Sequence, residues 1–199
     1  MSSYQGDIDW NILSKQGIKF AFIKATEGSS YVDEKFKINY ENALKTDLKI
    51  GVYHFFSYDS EGNTQADNFI KNVPNKEGML PPVVDIEFYG NKYINGPNVT
   101  ETQKQLQIML AKLEQNYGKK PIIYATYKSY NLYIANKFKD NYIWIRDVYF
   151  KPKLKDNRKW TFWQYSDKFI LDGYIGKEKR IDMNVFNGNM QKFEEMFSK

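Results

Sequence analysis

The sequence predicts an α/β protein whose parallel β-sheet closes into a barrel, and two observations support this. Apolar segments of strand length alternate with segments of helical periodicity along most of the chain, which is the pattern of repeated strand–helix units. The number of these strands favours closure into a barrel over an open sheet. No glycine-rich phosphate loop follows a predicted strand, which argues against an open dinucleotide-binding fold.

The predicted elements follow in a regular order. Strands are predicted over five apolar segments: 19–26, 48–56, 83–87, 121–124 and 142–145. Helices are predicted where apolar residues recur every three to four positions: 10–16, 33–46, 64–73, 101–117 and 128–136. Asp9 suits the N-cap of the first helix, and Gly118 suits the end of the fourth. After Lys151, strands over 160–165 and 180–184 follow without a helix between them, and a terminal helix is expected over 189–199.

The length and composition bound the architecture and the classes of partner. A chain of 199 residues suits one domain, and 42% hydrophobic with 17% aromatic residues is typical of a folded protein. The aromatic share also predicts a groove lined by rings, on which sugars or nucleic-acid bases can stack. The net charge of +5 is scattered and forms no basic stripe, so nucleic-acid binding is not expected.

Several classes of chemistry are excluded by the residues that are missing. The chain has no cysteine and a single histidine, His54, so disulfides, thiolate chemistry and multi-histidine metal sites are not expected. We predict no metal and no cofactor, and we expect His54 to be a hydrogen-bonded structural residue. There is no apolar segment of membrane-spanning length and no signal-peptide pattern, so we expect no membrane partner.

The strand over 83–87 ends in two acids separated by one isoleucine. Alternate residues of a strand share a face, so Asp85 and Glu87 point the same way with Cα atoms roughly 6.5 to 7 Å apart. At that distance each charge raises the pKa of the other group, and the two carboxyls can take different roles. This arrangement suits glycoside hydrolysis, although such pairs are also found as solvated loop acids or as cation ligands.

Barrel enzymes place their chemistry at the C-terminal ends of the strands. Polar residues occupy those ends in this chain, and acids and aromatics therefore gather at one mouth of the barrel. They are Gln5, Asp7, Glu27, Tyr53, His54, Asp85, Glu87, Tyr124, Gln164 and Asp182. The set contains no serine–histidine pair and no metal-ligand cluster.

Seven motifs in chain order give the sequence a resemblance to family 25 of the glycoside hydrolases, the Chalaropsis-type N-acetylmuramidases or lysozymes. The motifs cover nearly the whole chain. They are Tyr4-Gln5-Gly6-x-Ile8-Asp9-Trp10, Phe22-Ile-Lys-Ala-Thr-Glu27-Gly28, Gly51-Val-Tyr-His-Phe55, Pro82-x-x-Asp85-x-Glu87, Pro121-Ile-Ile-Tyr124, Trp163-Gln164-Tyr165 and Asp182-x-Asn184-x-Phe186.

The resemblance implies a flattened, irregular β/α barrel, a single catalytic domain over 1–199 without a wall-binding module, and a monomer that acts on bacterial peptidoglycan. The bond cleaved is the β-1,4 link between N-acetylmuramic acid and N-acetylglucosamine, and the expected location is extracellular or at the cell wall. Glu87 matches the general acid, Asp85 the nucleophile or stabiliser, and Asp182 a supporting acid. The expected substrate-binding residues are Tyr53, Tyr124, Trp163, Gln5 and Glu27.

Two departures from the family pattern bear on activity. The family's first strand begins with an active-site aspartate in an Asp-Val-Ser-x-x-Gln-Gly pattern, and Met1 stands at the valine position, so residues 1–199 hold no counterpart. We expect lower activity from this more readily than none. In the segment Ile145-Arg146-Asp147 the family more often has alanine after the isoleucine, so a charge at this strand end is expected to reshape the groove.

Three other functions remain open from the sequence. A cell-wall carbohydrate-binding protein with weakened or lost catalysis would follow from the missing aspartate. A chitinase-type enzyme would need further acids upstream of Glu87, where Val83 and Leu80 stand instead. A metal-dependent enzyme using Asp85 and Glu87 would lose activity with a chelator.

Overall fold

The computed structural model describes residues 1–197 and confirms the α/β class. Its main sheet has eight strands in the order β10-β8-β7-β6-β5-β4-β2-β3 and curls into a half-barrel. The strands of this sheet are β2 (Phe20–Glu27), β3 (Tyr31–Val32), β4 (Lys49–Phe55), β5 (Val83–Ile86), β6 (Ile122–Thr126), β7 (Tyr142–Arg146), β8 (Phe162–Phe169) and β10 (Ile181–Phe186). A separate antiparallel pair joins β1 (Asp7–Ile8) to β9 (Tyr174–Ile175).

The six central strands of the sheet, β2, β4, β5, β6, β7 and β8, run parallel to one another. The two edge strands, β3 and β10, are antiparallel to their neighbours. Among residues 1–197 no ladder joins β10 to β2 or β3. The carboxyl ends of the parallel strands therefore open on one side, where β10 approaches from the opposite direction. This arrangement forms the mouth expected from the sequence.

The helices lie between the strands and end near the positions that the sequence predicted. They are α1 (Trp10–Ser14), α2 (Phe36–Ala43), α3 (Gly62–Asn72), α4 (Val99–Tyr117), α5 (Tyr127–Ser129) and α6 (Met190–Phe197). Short 3₁₀ turns span Ser3–Gln5 and Gly90–Tyr93, and a π-helical turn spans Tyr130–Ile134. The last two residues of the predicted terminal helix, 198–199, lie outside the described residues.

Local side-chain chemistry explains where several helices begin and end. The Asp9 carboxylate accepts hydrogen bonds from the backbone N–H groups of Asn11 (3.0 Å) and Ile12 (3.1 Å), as its predicted N-cap role requires. Gly118 ends α4 in the left-handed conformation with φ of 67°. The second helix begins later than predicted because the Asp33 carboxylate accepts from the backbone N–H groups of Ser3 and Lys35 and forms a turn before Phe36.

The core has two layers, one on each face of the sheet. Outside the sheet, apolar side chains such as Ile23, Val84 and Ile123 pack against the helices. Inside the curl lies a second cluster rich in aromatic rings: Phe22, Leu80, Val83, Ile122, Tyr124, Trp144, Phe162, Phe186, Phe193 and Phe197. The last two belong to α6, which closes the lower end of the curl. Aromatic rings are therefore found in both layers, and those of the inner layer lie beneath the mouth.

Candidate active site

A cavity of about 890 Å³ runs along the gap between β2 and β10, and part of its lining comes from the carboxyl ends of the strands. All three predicted catalytic acids line it, Asp85 and Glu87 from β5 and the residue after it, and Asp182 from β10. Tyr53 of β4 and Tyr124 of β6 line the same cavity. The structure therefore brings together acids and aromatic side chains that lie far apart in the sequence.

Asp85 lies in an inward-facing row of large side chains. Strand pairing aligns it with Tyr124 of β6, which aligns with Trp144 of β7, which aligns with Phe162 of β8. The Asp85 side chain is buried, and among the described residues its Oδ1 atom has no hydrogen-bond partner. Burial raises the pKa of Asp85 well above its usual value, the neighbouring Glu87 raises it further, and Lys24 partly opposes both.

Glu87 is two residues further along and faces the same cavity, closer to the mouth. Its side chain is half-buried, and burial raises the pKa of this carboxyl. The positive charges of Arg146 and Lys24 lower the pKa of Glu87, and the negative charge of Asp182 raises it. Because Asp85 and Glu87 both favour their protonated forms, the pair retains a proton at a higher pH than isolated carboxyls would.

Asp182 reaches the cavity from the antiparallel strand β10, and its side chain is open to solvent at the mouth. Partial desolvation of the carboxyl by the surrounding protein raises the pKa of Asp182, while the amino group of Met1 and the guanidinium of Arg146 lower it. The Met1 amino group is itself bonded to the Phe22 carbonyl at 2.9 Å, beside β2. Asp182 thus adds a third negative charge on the side of the cavity opposite β5.

Lys24 supplies one of the positive charges that face this acidic cluster. Its ammonium group lies 2.7 Å from a carboxylate oxygen of Glu27 and 5.1 Å from the centre of the Phe55 ring. The Lys24 side chain is 13% exposed, whereas that of Glu27 is 42% exposed. The predicted substrate-binding residue Glu27 therefore has a structural partner, and it influences the cavity through Lys24 and by raising the pKa of Asp85.

A hydrogen bond fixes one of the cavity tyrosines. The Tyr124 hydroxyl donates to Gln164 Oε1 at 2.9 Å, and both side chains are buried. Burial raises the pKa of Tyr53 and of Tyr124 well above the usual value for tyrosine. Both phenols are therefore neutral hydrogen-bonding groups beside the carboxyls.

Two further residues predicted to bind substrate are held in structural contacts. Gln5 lines the cavity, but its Oε1 accepts from the backbone N–H of Ser2 at 2.8 Å in a capping box. Trp163 is not among the cavity-lining residues; its indole N–H donates to the Asp147 carbonyl at 2.7 Å and its ring packs edge-on against Trp160. The inward side chains of β8 are Phe162 and Gln164, so Trp163 faces outward by strand alternation.

His54 is fully buried on the outer side of the mouth. Its Nδ1 lies 2.7 Å from Thr26 Oγ1 and its Nε2 lies 3.1 Å from Gln65 Oε1. Burial lowers the pKa of His54 to about 4. The ring is therefore neutral above that pH, and these contacts account for it as a structural group.

Three further residues lie near the acids: Lys24, which was given no role by the sequence, Gln164, which was expected only as a polar residue at the mouth, and Arg146, which was expected only to reshape the groove. Lys24 and Gln164 stand inside the quoted motifs, and Arg146 stands at a noted departure. Counting alternate positions along each strand from the inward Trp144 and Phe162 would have placed Arg146 and Gln164 on the inner face. The irregular pairing of β2 between Lys24 and Thr26 obscures that count for Lys24.

Among residues 1–197, no group of three histidine, aspartate or glutamate side chains is arranged to hold a metal ion. Within the same range, no helix combines the length and the apolar character needed to cross a bilayer.

Comparison with known proteins places this site in a family. The model of the glycosyl hydrolases family 25 matches residues 1–174. The structure of a family 25 glycosyl hydrolase from Bacillus anthracis superposes with a TM-score of 0.94 at 55% identity, covering 99% of this chain and 91% of that one. The uncharacterised protein YegX of Escherichia coli K12 is 35% identical over 98% of this chain and 70% of its own length.

A third relative carries an enzyme name. Lysozyme M1 of Streptomyces globisporus is 31% identical, over 95% of this chain and 67% of its own length. Together with the family match over most of the chain and the paired acids in the cavity, this likeness decides the classification. The chain belongs to glycosyl hydrolase family 25 and is a glycoside hydrolase.

Proposed function

We propose that the protein is a lysozyme that hydrolyses the β-1,4 bond between N-acetylmuramic acid and N-acetylglucosamine in bacterial peptidoglycan. The observation that carries this proposal is the Asp85–Glu87 pair, which shares one strand face inside an aromatic-lined cavity. Glycoside hydrolysis requires two carboxyls with different protonation states. The likeness to Lysozyme M1 supports peptidoglycan as the substrate.

Glu87 is the general acid in this proposal. It lies nearer the mouth than Asp85, and burial raises its pKa so that it keeps a proton at higher pH. As the bond between the sugar's anomeric carbon and the glycosidic oxygen breaks, the Glu87 proton passes to that oxygen. Glu87 is left as a carboxylate, which then takes a proton from the water that completes hydrolysis.

Asp85 stabilises the positive charge that develops at the anomeric carbon in the transition state. It either bonds to the anomeric carbon as a nucleophile or holds the substrate's own acetamido group while that group does so. Its unpartnered buried oxygen supports a ligand-facing role, because buried carboxylate oxygens ordinarily have hydrogen-bond partners. A substrate N–H that donates to Asp85 favours its ionised form and leaves the shared proton on Glu87.

The surrounding residues support the pair. Asp182 contributes negative charge that favours the protonated acid and the cationic transition state. Tyr53 and Tyr124 offer ring faces and hydroxyls to the sugars. Residues 1–199 act as a single catalytic domain and a monomer, on the cell wall or outside the cell, without a nucleic-acid partner.

The test uses purified peptidoglycan and measures new reducing ends, followed by mass analysis of the fragments. Wild type is expected to release fragments that end in N-acetylmuramic acid, and Glu87→Gln to be about 10²- to 10⁴-fold slower. Glu41→Gln is the matched control, because Glu41 is exposed on α2. Saturable binding of wild type without product would overturn the proposal in favour of a binding protein, and equal rates for wild type and Glu87→Gln would overturn the role of Glu87.

A further inference from the structure

Four residues form a row across the carboxyl ends of neighbouring strands. Pairing aligns Ile86 with Ala125, so the next residues, Glu87 and Thr126, lie side by side. Thr126 aligns with Arg146, and Arg146 aligns with Gln164. Two strand spacings separate Glu87 from Arg146, which is roughly 10 Å between backbones and within the combined reach of the two side chains.

The residue between them leaves this space open. Thr126 has a short side chain, and its hydroxyl accepts from the backbone N–H of Ser129 as the N-cap of α5. Arg146 also lies two positions after Trp144, whose ring packs inside the curl, so both side chains leave β7 on the inner face. The long side chain of Arg146 therefore begins on the face that carries Glu87.

Arg146 is tied to the neighbouring strand. Its Nη2 donates to Asp167 Oδ2 of β8 at 2.6 Å, and the two side chains are 34% and 30% exposed. A pair this open to water adds little to the free energy of unfolding, typically about 0 to 1 kcal/mol. A contribution to stability therefore does not account well for the Arg146–Asp167 pair. Its position near the catalytic acids suggests an effect on those acids instead.

Charged groups approach Glu87 from four strands. Asp85 of β5 and Asp182 of β10 contribute carboxyls, and Lys24 of β2 and Arg146 of β7 contribute positive charges. Further out, the Met1 amino group lowers the pKa of Asp182, and Glu27 raises that of Asp85. Tyr53 and Tyr124 are neutral phenols whose pKa values are raised. The positive charge of Arg146 lowers the pKa of Glu87, and it also lowers the pKa of Asp182.

We propose that Arg146, held in place by Asp167, is a positioning residue that sets the upper end of the pH range in which Glu87 works as the acid. The inference rests on the proposed role of Glu87. Arg146 is not among the residues that line the cavity; it keeps a positive charge near the carboxyls of Glu87 and Asp182. Because that charge favours loss of the Glu87 proton, its removal lets Glu87 stay protonated at higher pH.

The experiment compares the pH dependence of kcat/KM for wild type, Arg146→Met and Arg146→Lys on soluble peptidoglycan fragments. In Arg146→Met the fall in rate on the alkaline side is expected to move to higher pH. One pH unit above the wild-type midpoint, this variant should retain roughly two- to fivefold more of its own plateau rate than wild type does. Arg146→Lys keeps the charge and should keep the wild-type midpoint even if its plateau is lower.

Lys37→Met is the charge-matched control, because Lys37 is exposed on α2 and its removal changes the net charge equally. An alkaline midpoint that is the same in Arg146→Met and wild type, or that moves equally in Lys37→Met, overturns the inference. If Arg146→Met does not fold, Arg146→Gln answers the same question. Failure of wild type to cleave peptidoglycan defeats the proposed function, whereas active wild type with an unmoved midpoint defeats only the role of Arg146.

Discussion

Replacement of Asp85 by asparagine is expected to stabilise the fold while slowing the reaction. The Asp85 carboxyl is buried, its Oδ1 has no partner among residues 1–197, and its pKa is raised well above the ordinary value. The folded state therefore holds the Asp85 proton more tightly than the unfolded chain does. As pH rises above about 4, the wild type loses stability that the asparagine variant keeps.

The size of this effect follows from proton linkage. Each pH unit between the unfolded and folded pKa values costs the wild type up to about 1.4 kcal/mol relative to Asp85→Asn. Between pH 4 and pH 6 the difference in the free energy of unfolding should therefore grow in favour of Asp85→Asn. For a chain of this size, each 1 kcal/mol of that difference corresponds to about 2 to 4 °C in Tm.

The assay is urea unfolding of wild type and Asp85→Asn at pH 4, 5 and 6. Asp140→Asn is the control, because it makes the same substitution at an exposed position. A difference for Asp85→Asn that is equally flat across these pH values would refute the reasoning. It would mean that ionisation of the buried carboxyl does not lower the free energy of unfolding, as expected if a hydrogen-bond donor satisfied the carboxylate.

Two further predictions concern residues away from the reacting groups. The single histidine should titrate with a pKa of about 4 by NMR, and relative to His54→Gln the wild type should lose about 3 kcal/mol of unfolding free energy as pH falls from 7 to 4. The sign follows because the unfolded chain binds the proton first; an NMR midpoint near 6.5 would contradict the buried, neutral ring. Trp163→Phe should leave the peptidoglycan rate within about twofold and lower the free energy of unfolding by about 1 kcal/mol through loss of its hydrogen bond to Asp147. A tenfold loss of rate with little change in stability would instead place the indole against the sugar.

The alternation of strands and helices could be predicted because burial on both faces of a parallel sheet produces continuous apolar segments. The segment 19–26, for example, is observed as β2 from Phe20 to Glu27. The short pair of β1 and β9 was not predicted, since two-residue strands carry no detectable periodicity. The predicted helix over 128–136 is α5 followed by a π-helical turn, and Asn136 beyond it takes a positive φ of 64°.

The candidate site was predicted in part. Alternation along one strand was enough to put Asp85 and Glu87 on one face. The expectation that strand-end residues meet at one mouth placed Asp182 with them, and all three line the same cavity. The outward direction of Trp163 could have been read from the same alternation, but a motif match says nothing about which face a residue takes. The cations were harder to place, because the reach of Lys24 and Arg146 depends on how the sheet curls and on which partners hold them.

The central claim, that Glu87 supplies the proton to the departing oxygen, is tested most directly by varying how much the leaving group needs that proton. The measurement compares wild type, Glu87→Gln and Asp85→Asn on peptidoglycan and on an aryl glycoside of the same sugar whose nitrophenolate departs without protonation. Glu87→Gln should lose about 10²- to 10⁴-fold on peptidoglycan and far less on the aryl glycoside, while Asp85→Asn should be slow on both. Equal losses for Glu87→Gln on the two substrates would contradict the claim.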